Sequence, residues 1–273
     1  MSEVFNGKRF GTYFLYDLKQ MWRKHSKAAI LIGGSIAIFY IIWVLFSLLF
    51  GHHWTTPPIE ARVVMLVIAF TILELYQAHT YGYLTEKKAG SAWLMIPASR
   101  TEKFISMLLM TLVVIPLLFF AVYFLLDGFL SLVDPTYGQS VARGFYATSI
   151  RLFEGMATLG NSSPIMFTPG SFLLISFIGF CCNFLYFLLC GICFNKNKII
   201  MGIVILFGLS TLLSILMACF MPLGLKMAMN VDIDAESAAS LMVGLMNGTM
   251  VFSALLTLGL GWGIWRRIKT LQH

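Results

Sequence analysis

Long apolar segments separated by short polar ones run through most of this chain. About 20 apolar residues are needed for a helix to cross the hydrocarbon core of a bilayer. Six segments reach that length, namely 28–50, 61–84, 104–126, 171–194, 199–220 and 244–265. The pattern predicts an all-α fold: a polytopic membrane protein with six transmembrane helices and one transmembrane domain over residues 1–273.

The segment before the first apolar run is amphipathic. If residues 8–25 form a helix, one face carries large apolar side chains and the other carries mostly cations, as expected for an interfacial helix lying in the membrane plane. The apolar face is Phe10, Phe14, Leu18, Met21 and Trp22, and the polar face is Lys8, Arg9, Thr12, Lys19 and Arg23. Asp17 falls on the apolar face. Its carboxylate either pairs with Lys24 or reaches the headgroups, or it makes a specific contact with a neighbouring helix or a partner.

A charged loop, residues 85–103, lies between the second and third apolar segments. Ser99 and Glu102 have the spacing of a capping box, so we expect a helix that begins at Ser99 and runs directly into the apolar segment. Residues 86–96 leave room for a short separate helix anchored by Trp93. A compact, capped, charged element between two spans is suited to binding by a soluble partner.

Two other segments interrupt the apolar pattern. Residues 127–170 form the longest polar stretch and are rich in Gly and Pro, which favour turns. Residues 221–243 are too apolar for a free loop and too broken for a span, so we expect a re-entrant or surface-lying pair of short helices.

Composition and charge support a membrane location and set the topology. Hydrophobic residues make up 59% of the chain and charged residues 11%, whereas soluble domains average about 25% charged residues. Fifteen of the nineteen Lys and Arg residues lie in the N-terminal segment, the 85–103 loop, the 195–198 turn and the C-terminal tail. The positive-inside rule therefore predicts that both termini and the 85–103 loop are cytoplasmic. Anionic membrane lipids account for the charge of +7, so no nucleic acid is expected as a partner.

Motifs for catalysis are missing from the sequence. It contains no Walker A loop and no zincin or nucleophile-elbow motif, so we expect no enzyme, no cofactor and no metal in this chain. Cys190 and Cys193 have metal-like spacing but lack a second pair. Glu74 is an acidic residue deep in an apolar segment, with Gln77 and Tyr81 on the same side. Either Glu74 ties helices together through hydrogen bonds, or the three residues lie on a translocation path.

The sequence Ile96-Pro-Ala-Ser-Arg-Thr-Glu-Lys-Phe-Ile-Ser106 resembles the cytoplasmic loop of type-two ABC exporter permeases. Bacterial members carry Leu-Pro-Ala-Ser-x-x-Glu-Lys-Phe there, and Ile96 replaces the Leu. The six spans and the N-terminal interfacial helix also match that family. The long outer segment 127–170 is a departure from the family and leaves substrate identity open.

The resemblance implies a permease subunit in the cytoplasmic (inner) membrane of a bacterium, acting as a homodimer or with a paralogous second permease. Its partner would be a dimer of ABC ATPase subunits, which would hold ATP and Mg. In that family the loop between the second and third spans carries a coupling helix that docks into the ATPase. The coupling residues would be Glu86, Lys87, Lys88, Trp93, Ser99 and Glu102.

The expected mechanism is alternating access. Closure of the ATPase subunits would move the 85–103 loop, and the substrate path would form between the two permease copies, with Glu74 as a polar element. Two other classes remain open: an ion-coupled secondary transporter or channel, and a non-transporting membrane assembly or sensor protein. Co-purification of a nucleotide-binding subunit would favour the exporter.

Overall fold

The computed structural model describes residues 5–51, 53–144, 146–147, 150, 169–229 and 235–270, and within them the chain is helical without any strand. The all-α class is therefore confirmed for this part of the chain. The helices are α1 (Gly7–Gly33), α2 (Ser35–Phe46), α3 (Ile59–Thr80), α4 (Lys87–Met95), α5 (Arg100–Leu109), α6 (Ile115–Val133), α7 (Pro169–Cys193), α8 (Lys198–Met229) and α9 (Ala235–Thr270). Ser47–Gly51 and Met110–Val114 are π-helical, and Gly82–Thr85 and Pro135–Tyr137 are 3₁₀ turns.

Several helices are long and apolar enough to cross a membrane. In the described residues these are Arg100–Val133, Leu174–Cys193 and Gly248–Thr270. A fourth crossing is possible if Gly7–Gly33 and Ser35–Gly51, which meet at a bend of 41°, count as one span. The structure thus has three or four candidate membrane-spanning helices.

The N-terminal helix breaks later than the sequence suggested. We expected an interfacial helix over 8–25 and a separate span from 28, but α1 continues to Gly33 and the break falls at Gly34. Nothing between residues 25 and 28 stops a helix, whereas a Cβ at Gly34 would lie 2.7 Å from the Ile30 carbonyl oxygen. The glycine pair at 33–34 therefore permits the bend.

The predicted pair of short helices over 221–243 is wrong. The described residues there belong to the ends of two long helices, α8 to Met229 and α9 from Ala235. Ala, Leu and Met are strong helix formers, and Pro222 does not end α8. Similarly, α6 continues past 126 to Val133, so the outer segment begins later than expected. Residues 151–168 of that segment lie outside the described residues.

The long helices cross closely at small residues. α7 packs mainly on α9 and α3. At the α3–α7 crossing a Cβ added to Gly191 would overlap the carbonyl oxygen of Ala78, so the backbones touch. Two apolar clusters result. One contains Tyr81, Leu84, Trp93, Met107, Leu188 and Ile264, and the other contains Ile36, Leu66, Leu73, Phe119 and Phe184.

A buried ion pair fastens the end of the molecule where α3 begins and α6 ends. Arg62 Nη1 lies 3.3 Å from Asp127 Oδ1, and both side chains are almost fully buried. Arg62 Nη2 also donates to the Tyr137 carbonyl at 3.0 Å, and the Tyr137 hydroxyl donates to Asp127 at 2.9 Å. Val141 N–H donates to the second Asp127 oxygen. We call this set the outer clamp; it leaves the candidate site at the opposite end.

Candidate functional site

The capping box predicted at the start of α5 is present. Ser99 Oγ accepts from Glu102 N–H at 3.2 Å, and Glu102 Oε2 accepts from Ser99 N–H at 2.9 Å. The predicted short helix before it is α4. Residues 82–106, which contain α4 and the start of α5, are called the handle below.

Glu102 also binds the first turn of α1. Its Oε1 accepts from Asn6 N–H at 2.9 Å and from Arg9 Nη2 at 2.7 Å, and its Oε2 accepts from Arg9 Nε at 2.8 Å. Glu102 precedes the apolar segment that starts at Phe104, so its carboxylate lies outside the predicted span 104–126. The bonds from Arg9, followed by those from the two backbone N–H groups, outweigh desolvation and lower the pKa of Glu102 to about 2.

Lys103 and Trp93 join the two helices of the handle. Lys103 Nζ donates to the Trp93 carbonyl at 2.8 Å and to the Leu94 carbonyl at 3.3 Å, and so satisfies carbonyls at the C-terminus of α4. Trp93 is 4% exposed, and its Nε1 donates to the Tyr13 hydroxyl of α1 at 3.0 Å. Trp93 therefore holds α4 against α1 and does not present its ring to solvent.

Asp17 makes the specific helix contact that was one of its two expected roles. Its Oδ2 accepts from the Tyr81 hydroxyl at 2.8 Å and from Ser106 Oγ at 2.7 Å, and the residue is 2% exposed. Lys24 lies instead 4.0 Å from the centre of the Tyr83 ring. Asp17 thus joins α1 to the end of α3 and to α5.

These contacts come from one stripe of α1. Asn6, Arg9, Tyr13 and Asp17 are three or four residues apart, so they share a face of the helix. Each of them binds the handle. The amphipathic pattern predicted Arg9 on the polar face of the helix, and the stripe was not predicted. The 3–4–4 spacing of polar residues was its signal in the sequence.

The second predicted cytoplasmic turn also contacts the handle. Lys198, the first residue of α8, donates from Nζ to the carbonyl oxygen of Gly82. The Asn195–Lys198 turn is therefore attached to the segment that leads into α4.

The exposed surface of the handle is small and mixed. Glu86, Pro97 and Arg100 are exposed, and Met95 is 77% exposed, which is unusual for a large apolar side chain at a polar surface. Lys87 and Lys88 open α4, but the described side chains do not include theirs. Met95 was not predicted as a site residue from the sequence.

The three residues proposed for a path are not gathered at one opening. Gln77 and Tyr81 are fully buried, and the Tyr81 hydroxyl is used by Asp17. Glu74 is half-buried on α3, and its side chain lies near Asn183 of α7. His, Cys, Asp and Glu side chains in the described ranges form no group of three or more able to hold a metal ion. Cys190 and Cys193 are free thiols.

Comparison of the chain with protein-family models, with curated proteins and with solved structures found no match.

Proposed function

We propose that the chain is the permease subunit of a bacterial ABC exporter, which couples ATP hydrolysis in a separate ATPase dimer to export of an unidentified substrate. The proposal rests on the Ile96–Ser106 sequence and on the way that segment is held. It includes six spans with both termini cytoplasmic, with α3 and α8 as crossings beside the helices described above. α3 has 22 residues, about 33 Å at 1.5 Å per residue.

The observation that carries the proposal is the attachment of the handle on several sides. α1 binds it through Arg9, Tyr13 and Asp17, and α8 binds it through Lys198. A handle fixed in this way would transmit a push to α1, α3 and α5 together. A slack loop would absorb the same push without moving the helices.

The partner would contact the exposed side of α4. Met95 would insert into an apolar groove of the ATPase subunit, with Glu86, Lys87, Lys88 and Arg100 around it as charged contacts. Trp93, Ser99 and Glu102 would act by positioning α4 and α5. The half-buried Glu74 side chain of α3 would reach the substrate path between the two permease copies.

The experiment is affinity capture of the tagged full-length chain from membranes of its own host, with identification of retained proteins by mass spectrometry. We expect an ATP-binding subunit in stoichiometric amount. Met95→Asp should reduce its capture roughly tenfold, because a carboxylate buried in an apolar groove costs well over 1.4 kcal/mol. Thr12→Asp, which places the same charge on the exposed face of α1, is the matched control and should retain the subunit.

Transport driven by an ion gradient with no ATPase subunit retained would replace the exporter with the secondary-transporter alternative. A different stable membrane partner with no flux would favour the assembly or sensor protein. Equal capture by the Met95→Asp and Thr12→Asp variants would refute the assignment of the handle as the docking element.

A further inference from the structure

A narrow slot opens between α1, α3 and the junction of α5 with α6. Its volume is about 50 Å³, and its walls are almost entirely carbon. The walls include Met21, Trp22 and Ala29 of α1, Leu73 of α3, and Met110 and Val114 of the π-helical segment. His25 Nδ1 and the Tyr76 hydroxyl, 2.7 Å apart, form the main polar point in the slot.

The slot lies where α1 changes from a cation-bearing sequence to an apolar one, near Lys27 and Ala28. The wider π-helical turn at Met110–Val114 supplies one of its walls. This position corresponds to the boundary between headgroups and hydrocarbon for the topology proposed above.

Two cations stand beside the slot on α1. Lys19 is three residues from Trp22, and Arg23 is three residues from Ser26, so each is the helix-surface neighbour of a residue that lines the slot. Lys19 and Arg23 are themselves i,i+4 neighbours, and both are exposed. Trp22, which lines the slot next to Lys19 on the helix surface, is 55% exposed.

We propose that this is a binding site for an anionic phospholipid, with the end of one acyl chain in the slot and the headgroup phosphate at Lys19 and Arg23. The small volume limits the occupant, because a cavity of roughly 150 Å³ is the size that admits a benzene ring. A slot of about 50 Å³ fits a slender methylene chain. The neighbouring positive charges select an anionic headgroup.

A bound chain would brace α1 against α3 and α5 directly beside the contacts of Asp17 with Tyr81 and Ser106. The site would therefore stabilise the docked position of α1. This inference goes beyond the exporter assignment and does not depend on it, because the test uses the permease chain alone.

The test is native mass spectrometry of the purified full-length chain released from nanodiscs with equal amounts of phosphatidylglycerol and phosphatidylcholine. We expect one phosphatidylglycerol retained per chain. Val114→Phe fills the slot and should reduce retention roughly tenfold, the effect of leaving about two methylenes unburied. Val113→Phe is the matched control, because Val113 is 50% exposed and does not line the slot.

The headgroup is tested separately, with substitutions on an exposed face that leave packing unchanged. Lys19→Gln with Arg23→Gln should lower the preference for phosphatidylglycerol over phosphatidylcholine roughly tenfold, since each cation near a membrane surface favours anionic lipid. Lys8→Gln with Lys196→Gln removes the same charge from exposed positions that do not neighbour a residue lining the slot, and should keep the preference.

Equal retention by the Val114→Phe and Val113→Phe proteins would overturn the tail site. Equal loss of preference in the two charge variants would reduce the headgroup contact to general electrostatics and overturn the specific site. Detergent or a second copy of the chain held in place of lipid would overturn the assignment of the occupant.

Discussion

Glu102 accepts hydrogen bonds from three residues in two parts of the chain. Ser99 N–H, Asn6 N–H and the Arg9 guanidinium all donate to its two oxygens. A buried carboxylate is costly unless it is paired and hydrogen-bonded, and here both conditions are met. The residue that caps α5 therefore also fixes where α1 begins.

The docking of α1 on the handle should weaken in acid. Because the folded pKa of Glu102, about 2, lies below its ordinary value of 4.5, its contribution is complete above pH 4.5 and is lost as pH falls toward 2. The measurement is hydrogen exchange of residues 7–17 in the wild type and in Glu102→Gln at each pH. The ratio of wild-type to variant protection factors should be above one at pH 7 and should shrink about tenfold or more by pH 3.

Glu86→Gln is the control for this measurement. Because Glu86 is exposed, its substitution should leave the pH profile unchanged. An advantage of the wild type that is the same at pH 7 and pH 3 would contradict the role given to the Glu102 carboxylate.

The capping box could be predicted because its two partners are three residues apart and depend on local geometry alone. The other partners of Glu102 could not, since Asn6 and Arg9 are more than 90 residues away in sequence. The same applies to Trp93. Its sequence position suggested an anchor on the handle, but only the packing shows that it faces Tyr13.

Among the helix pairs, α3 and α7 make the closest backbone approach seen at a glycine. The Gly191 position faces the Ala78 carbonyl with no room for a side chain. Small residues at such crossings allow helices in a membrane to gain packing energy, which the hydrophobic effect does not supply there. The α3–α7 contact therefore depends on a single missing methyl group.

Gly191→Ala should lower the thermal unfolding temperature, because the new Cβ meets fixed backbone. Overpacking of this kind costs about 1–3 kcal/mol. Gly179→Ala on the same helix has nothing within 4 Å of its new Cβ and should be neutral or stabilise by up to about 1 kcal/mol through helix propensity. Scanning fluorimetry in detergent measures both, and identical shifts for the two variants would contradict the crossing described here.

The presence of a helix was predictable along most of the described chain, because a long apolar segment that crosses a membrane has to be helical. Helix ends were less predictable. The break at Gly34, the extension of α6 to Val133 and the π-helical turns at Ser47–Gly51 and Met110–Val114 were not predicted, since the length of an apolar segment does not mark where a helix bends or ends. α8 continues through Pro222, because neighbouring groups in a helix bundle can satisfy the backbone carbonyl that a proline leaves free.

At the scale of the molecule, two polar networks fasten opposite ends of the same helices. The handle network joins α1, the end of α3 and α5, and the outer clamp joins the start of α3 to the end of α6. The two apolar clusters pack alongside these networks, and isolated polar contacts such as that of His25 with Tyr76 lie among them.

Asp127→Asn should open the outer clamp, because it leaves the buried Arg62 guanidinium without a counter-charge. Breaking a buried pair in this way costs about 3–5 kcal/mol. Glu60→Gln, two residues from Arg62 but exposed, should change stability by no more than about 0.5 kcal/mol. Thermal unfolding of the two proteins gives the comparison, and a tolerant Asp127→Asn variant would show that the ion pair is dispensable.

The π-helical turn at Met110–Val114 lies between the capped start of α5 and α6. Each residue of a helix advances the side chains by about 100° around its axis. A π-helical turn takes up about one residue more than an α-helical turn, so winding the same residues into an uninterrupted α-helix would rotate the whole far half by about that angle. Ser106 would still face Asp17, while Asp127 would point away from Arg62. The insertion therefore sets the phase between the two ends of the rod.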